Sequence, residues 1–243
     1  VNSLSAAILL LHGAQRGMTA RRALAFLYVC ENEGLSLHEL AMVSRLSDQT
    51  ASRAVTAMAP QLIAPRPAPG DRRLVVLHLT DEACRLRDAI DAELKAARPI
   101  ADAPAHVRPA PTPPSAPGVR RRSALVQALE IFRGLGPQLN LMDTLCFLAV
   151  AERPGVSLKE LGQAFAITKT MASRAVRGFA PETYNSALPP ALGLLEMMTD
   201  SFNNRSRLAC LSPEGEDLVT RLDAIIASAA PLVPDADAMS LGL

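Results

Sequence analysis

The chain has 243 residues, of which 49% are apolar and 20% charged, with a formal net charge of +1. That length accommodates two domains with separate cores, and the apolar share excludes general disorder. Aromatic residues amount to 3% with no Trp, which argues against the ring-lined platforms on which single-stranded nucleic acids stack.

In chain order, a first helix is expected over roughly Ser3–Arg16, with Leu4, Ala7, Ile8 and Leu11 on one apolar stripe. That stretch is too short to span a bilayer. A second apolar helix follows around Thr19–Glu31. Ser36-x-x-Glu39 then reads as a capping box that starts a short third helix. Ser47 is the N-cap of a fourth. Two helices joined by so tight a connection read as helix-turn-helix. Leu62–Arg66 and Arg72–Leu79, separated by Pro-Ala-Pro-Gly-Asp, read as a hairpin behind that unit, a wing. Thr80 caps a closing helix with Leu86, Ile90 and Leu94 on its apolar stripe. Pro99–Gly118 holds seven prolines in 20 residues. It reads as a semi-extended tether that could reach on the order of 60 Å as polyproline II.

Beyond the tether the same order returns. Leu24–Pro60 aligned on Leu145–Pro181 gives 17 identities in 37 positions at a constant offset of 121. An internal repeat decides how many folding units exist, and a unit recurring only twice is a pair of like domains. Leu125, Ala128, Leu129 and Phe132 repeat the first stripe, and Asn140–Glu152 repeats the second helix. Ser157-x-x-Glu160 repeats the capping box, and Thr168 replaces Ser47. Leu194–Met198 and Arg205–Leu211 form the second hairpin. Ser212 caps a last helix with Leu218, Leu222, Ile225 and Ala229. The offset rises from 121 to 132 between Pro181 and Gly193, so Glu182–Leu192 is an insertion of 11 residues, expected as a loop. The expected class is mostly α with small β-hairpin wings (α+β): two tandem winged helix-turn-helix domains, 1–98 and 119–243, joined by the linker 99–118.

Leu-Ile-Ala-Pro-Arg, then Asp71-Arg72-Arg73, then Leu79-Thr80, in this order of elements, resembles the MarR family of bacterial winged-helix regulators. The resemblance covers nearly all of both halves apart from the tether and the tail after about Pro231. It implies a fold in which the fourth helix enters the DNA major groove and dimers join through first and last helices. Here that would be a fused pseudo-dimer within a monomeric chain. It also implies an effector pocket between the pairing helices and each reading lobe, but the sequence names no ligand. The second copy departs from the family pattern: Asn203-Asn204-Arg205 stands in place of Asp-Arg-Arg, so Arg205 lacks the acid expected to orient its counterpart.

Positive charge concentrates where such contact would fall. Ser47–His78 holds four Arg against two Asp, and Thr168–Leu211 holds five basic against three acidic residues. In the fourth helix of each copy, Arg53 and Arg174 are the main candidates for DNA contact, since a planar guanidinium can take guanine O6 and N7 together. Ser47, Gln49, Thr50 and Ser52, with Thr168, Lys169, Thr170 and Ser173, are short polar partners for phosphate, although Ser and Thr also serve as plain caps. Arg177, farther along the fourth helix of the second copy, is a further candidate for DNA contact. On the wings, Arg72 and Arg73, with Asp71 beside them, and Arg205 and Arg207 are candidates for a narrow minor groove. A surface ion pair at the wing tip is the alternative, and for Arg73 the groove is the favoured reading. The Arg120-Arg121-Arg122 run reads as a solvated tether end.

His12, His38, His78 and His106 are scattered without ligand spacing, so no metal site and no cofactor are expected. Cys30, Cys84, Cys146 and Cys210 form no CxxC pair and fit a reducing cytoplasm. Cys30 and Cys146 lie in apolar helices as inert core thiols. Neither a nucleophile–base pairing nor a phosphate-cradling loop marks an enzyme. The sequence points to a double-stranded DNA-binding transcriptional regulator, a repressor reading an imperfect palindrome. Two other readings share its features: a winged-helix interaction scaffold of the chromosome-segregation kind, which the near-neutral charge suits, and a plasmid or phage replication initiator.

Overall fold

The computed structural model describes residues 2–96, 124–136, 139–181, 188, 191–199 and 207–228. The tether 99–118, the Arg120–Arg122 run, most of the insertion 182–192 and the second hairpin tip with Arg205 lie outside the described residues.

The first half runs α1 (Asn2–Ala14), α2 (Ala20–Glu31), α3 (Leu37–Ser44), α4 (Asp48–Met58), β1 (Ile63–Ala68), β2 (Asp71–Leu79) and α5 (Asp81–Ala96). The second runs α6 (Ala124–Leu135), α7 (Leu141–Glu152), β3 (Val156–Ser157), α8 (Leu158–Ala164), α9 (Lys169–Phe179), β4 (Leu195–Thr199), β5 (Arg207–Leu211) and α10 (Pro213–Ser228). The fold is thus mostly helical with small antiparallel sheets, and the order of elements recurs.

Short polar side chains fix where these helices begin. Ser36 Oγ accepts from Glu39 N at 3.2 Å while the Glu39 carboxylate accepts from Ser36 N at 2.7 Å. Ser157 and Glu160 repeat the exchange at 3.2 and 2.8 Å. The backbone bond from each serine, helped by its hydroxyl, holds both glutamates below the usual carboxylate range. Ser47 and Thr168 cap α4 and α9. Thr80 Oγ1 and Ser212 Oγ accept from Ala83 N and Gly215 N, both at 3.1 Å. A third capping box lies at α7, where Asn140 and Asp143 exchange bonds of 3.0 Å in each direction.

Between the paired helices the chain turns through left-handed backbone at matching places, Arg45 (φ 52°) and Ala166 (φ 51°). There Leu46 N donates to Ala41 O at 2.9 Å and Ile167 N to Gly162 O at 3.0 Å. The first hairpin is tighter than the expected five-residue connection. Strand β1 continues through Ala68, which pairs with Asp71 after a register shift at Pro67/Ala68. Only Pro69-Gly70 is left to turn, with Gly70 at φ 87°, where a side chain would be strained. The second sheet has order β3-β5-β4, and in the first half the single bridge Ser36–Val76 stands in for β3.

Of the four expected apolar stripes, those of α1 (Leu4, Ala7, Ile8, Leu11) and α6 (Leu125, Ala128, Leu129, Phe132) are buried throughout, whereas in the closing helices Ile90, Leu218 and Leu222 are buried and Leu86, Leu94 and Ile225 half-buried, with Ala229 outside the described residues. The buried ones belong to one core that runs through both halves. Its second-half portion contains Phe147 between Phe132 (5.9 Å between ring centroids, edge-on) and Phe179 (5.2 Å). Across the halves α1 packs on α7 and α6 packs on α2, a reciprocal pattern since α6 is the counterpart of α1 and α7 of α2. Corresponding residues meet at the seam: Thr19 and Asn140 form an antiparallel bridge, and Leu141 N donates to Met18 O at 3.0 Å.

First and last helices were expected to join the halves. Among the described residues the main cross-half packing is instead first helix on second helix, in both directions, while α5 lies on α1 and α10 on α6 within their own halves. The physical reason is the character of the helices: α2 and α7 are buried along most of their length, whereas α5 carries Arg85, Arg87, Asp88, Asp91 and Glu93.

Two stability predictions follow from this packing. A Cβ on Gly215 would lie 2.1 Å from the Leu194 carbonyl oxygen. Gly215→Ala should therefore lower unfolding free energy by about 1–3 kcal/mol, opposite in sign to the gain of about 1 kcal/mol that helix propensity alone assigns; urea denaturation reads the sign. Burial raises the Asp143 carboxyl above its ordinary range, against the bonds from Asn140 that lower it. An acid raised in the folded state makes the fold less stable as pH climbs through its titration. Asp143→Asn keeps an acceptor for Asn140 N and removes that loss. Its thermal midpoint relative to the parent should rise between pH 4 and pH 7, and a gap independent of pH would contradict the burial effect.

Candidate nucleic-acid interface

Helix α4 is anchored by Ala51, Ala54, Val55 and Met58, which are buried, and presents its first turn outward. Ser47, Gln49 and Arg53 are exposed, while Thr50 and Ser52 are half-buried. Helix α9 repeats this: Ala172, Ala175 and Val176 are buried, Thr168, Lys169, Thr170 and Arg174 are exposed, and Ser173 is half-buried. In both halves the small residues sit on the inner face, so the polar ones project from the side opposite the core. Helix amino ends carry free N–H groups and positive dipole, which favour phosphate oxygens.

The capping hydroxyls have a dual capacity. Ser47 Oγ accepts from Thr50 N at 3.3 Å and lies 2.9 Å from Thr50 Oγ1. Thr168 Oγ1 accepts from Met171 N at 3.2 Å. Capping uses a lone pair, and a hydroxyl retains a proton to donate. The two amino ends differ in charge. Asp48 opens α4 and lies 3.3 Å from His38 Nδ1, whereas Lys169 opens α9.

The wings are unlike each other. In the first, Asp71 Oδ1 accepts from the backbone N of Arg73 at 2.9 Å. The acid expected to orient the arginine side chain thus secures the turn's backbone, and Arg73 is exposed. Arg72 lies in β2. In the second, Arg207 Nη1 donates to Thr199 Oγ1 at 2.7 Å, directly across the β4–β5 pair, so this guanidinium is tied along its own hairpin. Arg177 stands apart from the exposed set. It is half-buried in the last turn of α9, with Nε buried and unpartnered among the described residues, and its carbonyl accepts from Leu188 N of the insertion at 3.1 Å.

Two exposed cations on the same elements were not singled out from the sequence: Arg45, at the left-handed turn before α4, and Arg66, on β1 of the first wing. The spacing between a third helix and an N-cap could have flagged Arg45. Exposed apolar side chains also occur here, Met42 (68%) on α3 and Met171 (52%) on α9.

A cleft of about 520 Å³ opens between the seam and α9, bordered by His12, Asn140, Met142, Asp143, Met171 and Arg174. His12 comes from the first half. Burial lowers its proton affinity, with Arg16 adding to the effect. Burial likewise raises the Cys146 thiol to about 12 and the Cys30 thiol further still, so both stay protonated at neutral pH as core thiols. Among the described residues no group of three or more His, Cys, Asp or Glu could hold a metal ion, and no helix is long and apolar enough to cross a membrane.

No protein-family model matches the chain, and no curated protein matches it in sequence. Among solved structures the chain is similar to one described as the crystal structure of MarR, at 20% identity and a TM-score of 0.30, over 42% of this chain and 71% of that one.

Proposed function

We propose that this protein is a sequence-specific double-stranded DNA-binding transcriptional regulator, acting as a repressor. Its halves, 1–98 and 119–243, would form the intramolecular equivalent of a MarR-type dimer across the linker 99–118. The observation that carries this reading is the twinned presentation of α4 and α9. Each exposes a polar first turn followed by an arginine, Arg53 or Arg174, on halves that pack reciprocally. A reciprocal contact relates two surfaces as a two-fold axis does, and two-fold readers meet half-sites one helical turn apart, ~34 Å. A tether keeps the halves at roughly millimolar effective concentration, favouring pairing within the chain.

In this reading Arg53 and Arg174 contact base edges. Ser47, Gln49, Thr50, Ser52, Thr168, Lys169, Thr170 and Ser173 contact phosphates, and Arg72 and Arg73 enter the minor groove. The second wing contributes less, because Arg207 is engaged with Thr199. The target is therefore an imperfect palindrome with one half-site read more strictly. The cleft beside His12 has a volume suited to a small effector, and four unpaired thiols suit a reducing cytoplasm.

Selection of genomic fragments on the full chain, followed by footprinting, tests the reading: one footprint spanning two half-sites about one turn apart is expected. Arg53→Ala should cost about 1–3 kcal/mol and relax base preference in one half-site only. Arg73→Ala should weaken binding and flatten the dependence of log affinity on log salt by about one contact. An unaltered preference in the first variant, or an unaltered salt slope in the second, contradicts those roles. The exposed Met42 and Val43 on α3, with the near-neutral charge, favour a protein-interaction scaffold as the second reading. Absence of any selected fragment, with the fold intact, would support it.

A further inference from the structure

The second half holds the first half's α3–α4 lobe by a polar contact that has no counterpart in the other direction among the described residues. Arg133, on α6 of the second half, reaches across the seam and donates through Nη1 to the Ser44 carbonyl at 2.6 Å. Ser44 is the last residue of α3, immediately before the left-handed turn at Arg45 that leads into α4. The last carbonyls of a helix lack donors within it, and a cation placed there also meets the negative end of the dipole. Arg133 is therefore a C-terminal cap supplied to the first half's helix-turn-helix by the second half.

That arginine is itself held. It forms an ion pair with Glu130 one turn earlier on α6, and Glu130 accepts from the Tyr28 hydroxyl of α2 at 3.1 Å. The Arg133 and Glu130 side chains are only 19% and 16% exposed, so water screens the pair little. The chain of contacts runs from α2 of the first half, through α6 of the second, back to the end of α3.

The repeat shows what the other lobe lacks. At the offset of 121, Arg133 corresponds to His12, Glu130 to Leu9, Tyr28 to Ala149 and Ser44 to Phe165. The carbonyl acceptor remains at Phe165, but none of the three side chains that supply and hold the cap is kept. Leu9 is 48% exposed, and His12 Nδ1 is buried without a partner among the described residues. His12 borders the open cleft against α9.

We infer that Arg133 is a positioning residue for DNA reading: it fixes the α3–α4 lobe against the seam, while the α8–α9 lobe, with no such cap among the described residues, retains freedom to adjust over the cleft. One half-site would then be read by a preset helix and the other by a helix that adapts. The DNA consequence rests on the proposed function; the difference in stiffness does not.

Hydrogen exchange on the full-length protein separates the two. In Arg133→Met, amides of α3 and α4 should exchange about tenfold faster, the loss expected for a charge-assisted hydrogen bond, with α8 and α9 unchanged. Arg133→Lys, which keeps the charge beside Glu130, should restore most of the protection. Acceleration spread equally over both lobes, or none, overturns the inference. If Arg133→Met does not fold, Tyr28→Phe carries the test: it removes the hydroxyl that holds Glu130 and should accelerate α3–α4 selectively, by less than tenfold, and uniform or absent change again overturns it. On footprinted DNA, Arg133→Met should blur protection of the half-site that Arg53 reads and spare the other. If the parent binds no DNA, the function fails while the exchange result still decides the cap.

Discussion

Everything in this molecule depends on apolar burial across the seam between its halves. Helix α1, with Leu4, Ile8 and Leu11 buried, packs on α5 of its own half and on α7 of the other, and α6, with Leu125, Leu129 and Phe132 buried, packs on α10 of its own half and on α2 of the other. Each completes its core against the other's second helix. A fully buried aliphatic or aromatic side chain stabilises by roughly 1.5–3 kcal/mol relative to exposure, so a shared core of this kind outweighs any one of the polar bonds described. Those bonds act on a smaller scale: they choose register and orientation once burial has brought the halves together.

Local chemistry was largely readable in the residues. A serine three positions before a glutamate announces a helix start wherever it stands, and Ser36 and Ser157 both honour it. Stripes spaced by three and four marked the buried faces of α1 and α6. The Asn140–Asp143 box was equally present in the sequence, in the less familiar form of an amide and an aspartate. What the spacing could not show is which partner covers a stripe. A helix with two apolar flanks, such as α1, can meet its own last helix and a foreign second helix at once, and periodicity is silent on that choice.

The placement of the candidate residues was readable, and their immediate surroundings less so. The exposed turn of α4 with Arg53 lies where the repeat placed it. The commitment of Asp71 to backbone, of Arg207 to Thr199, and of the Arg177 carbonyl to Leu188 N each depend on a rotamer or on a neighbour brought close by folding. Arg133 shows the same limit: its carbonyl partner is 89 residues away, and nothing in the local composition of α6 suggests it.

The meeting of Thr19 with Asn140 has an evolutionary corollary. Where identical chains associate, any change at the axis is imposed on both sides and must suit itself. Here the facing positions are encoded separately, so one is a threonine and the other an amide, each with its own capping duty. A protein so built can specialise its two faces by ordinary single substitutions, with no risk of mixed pairings between old and new copies.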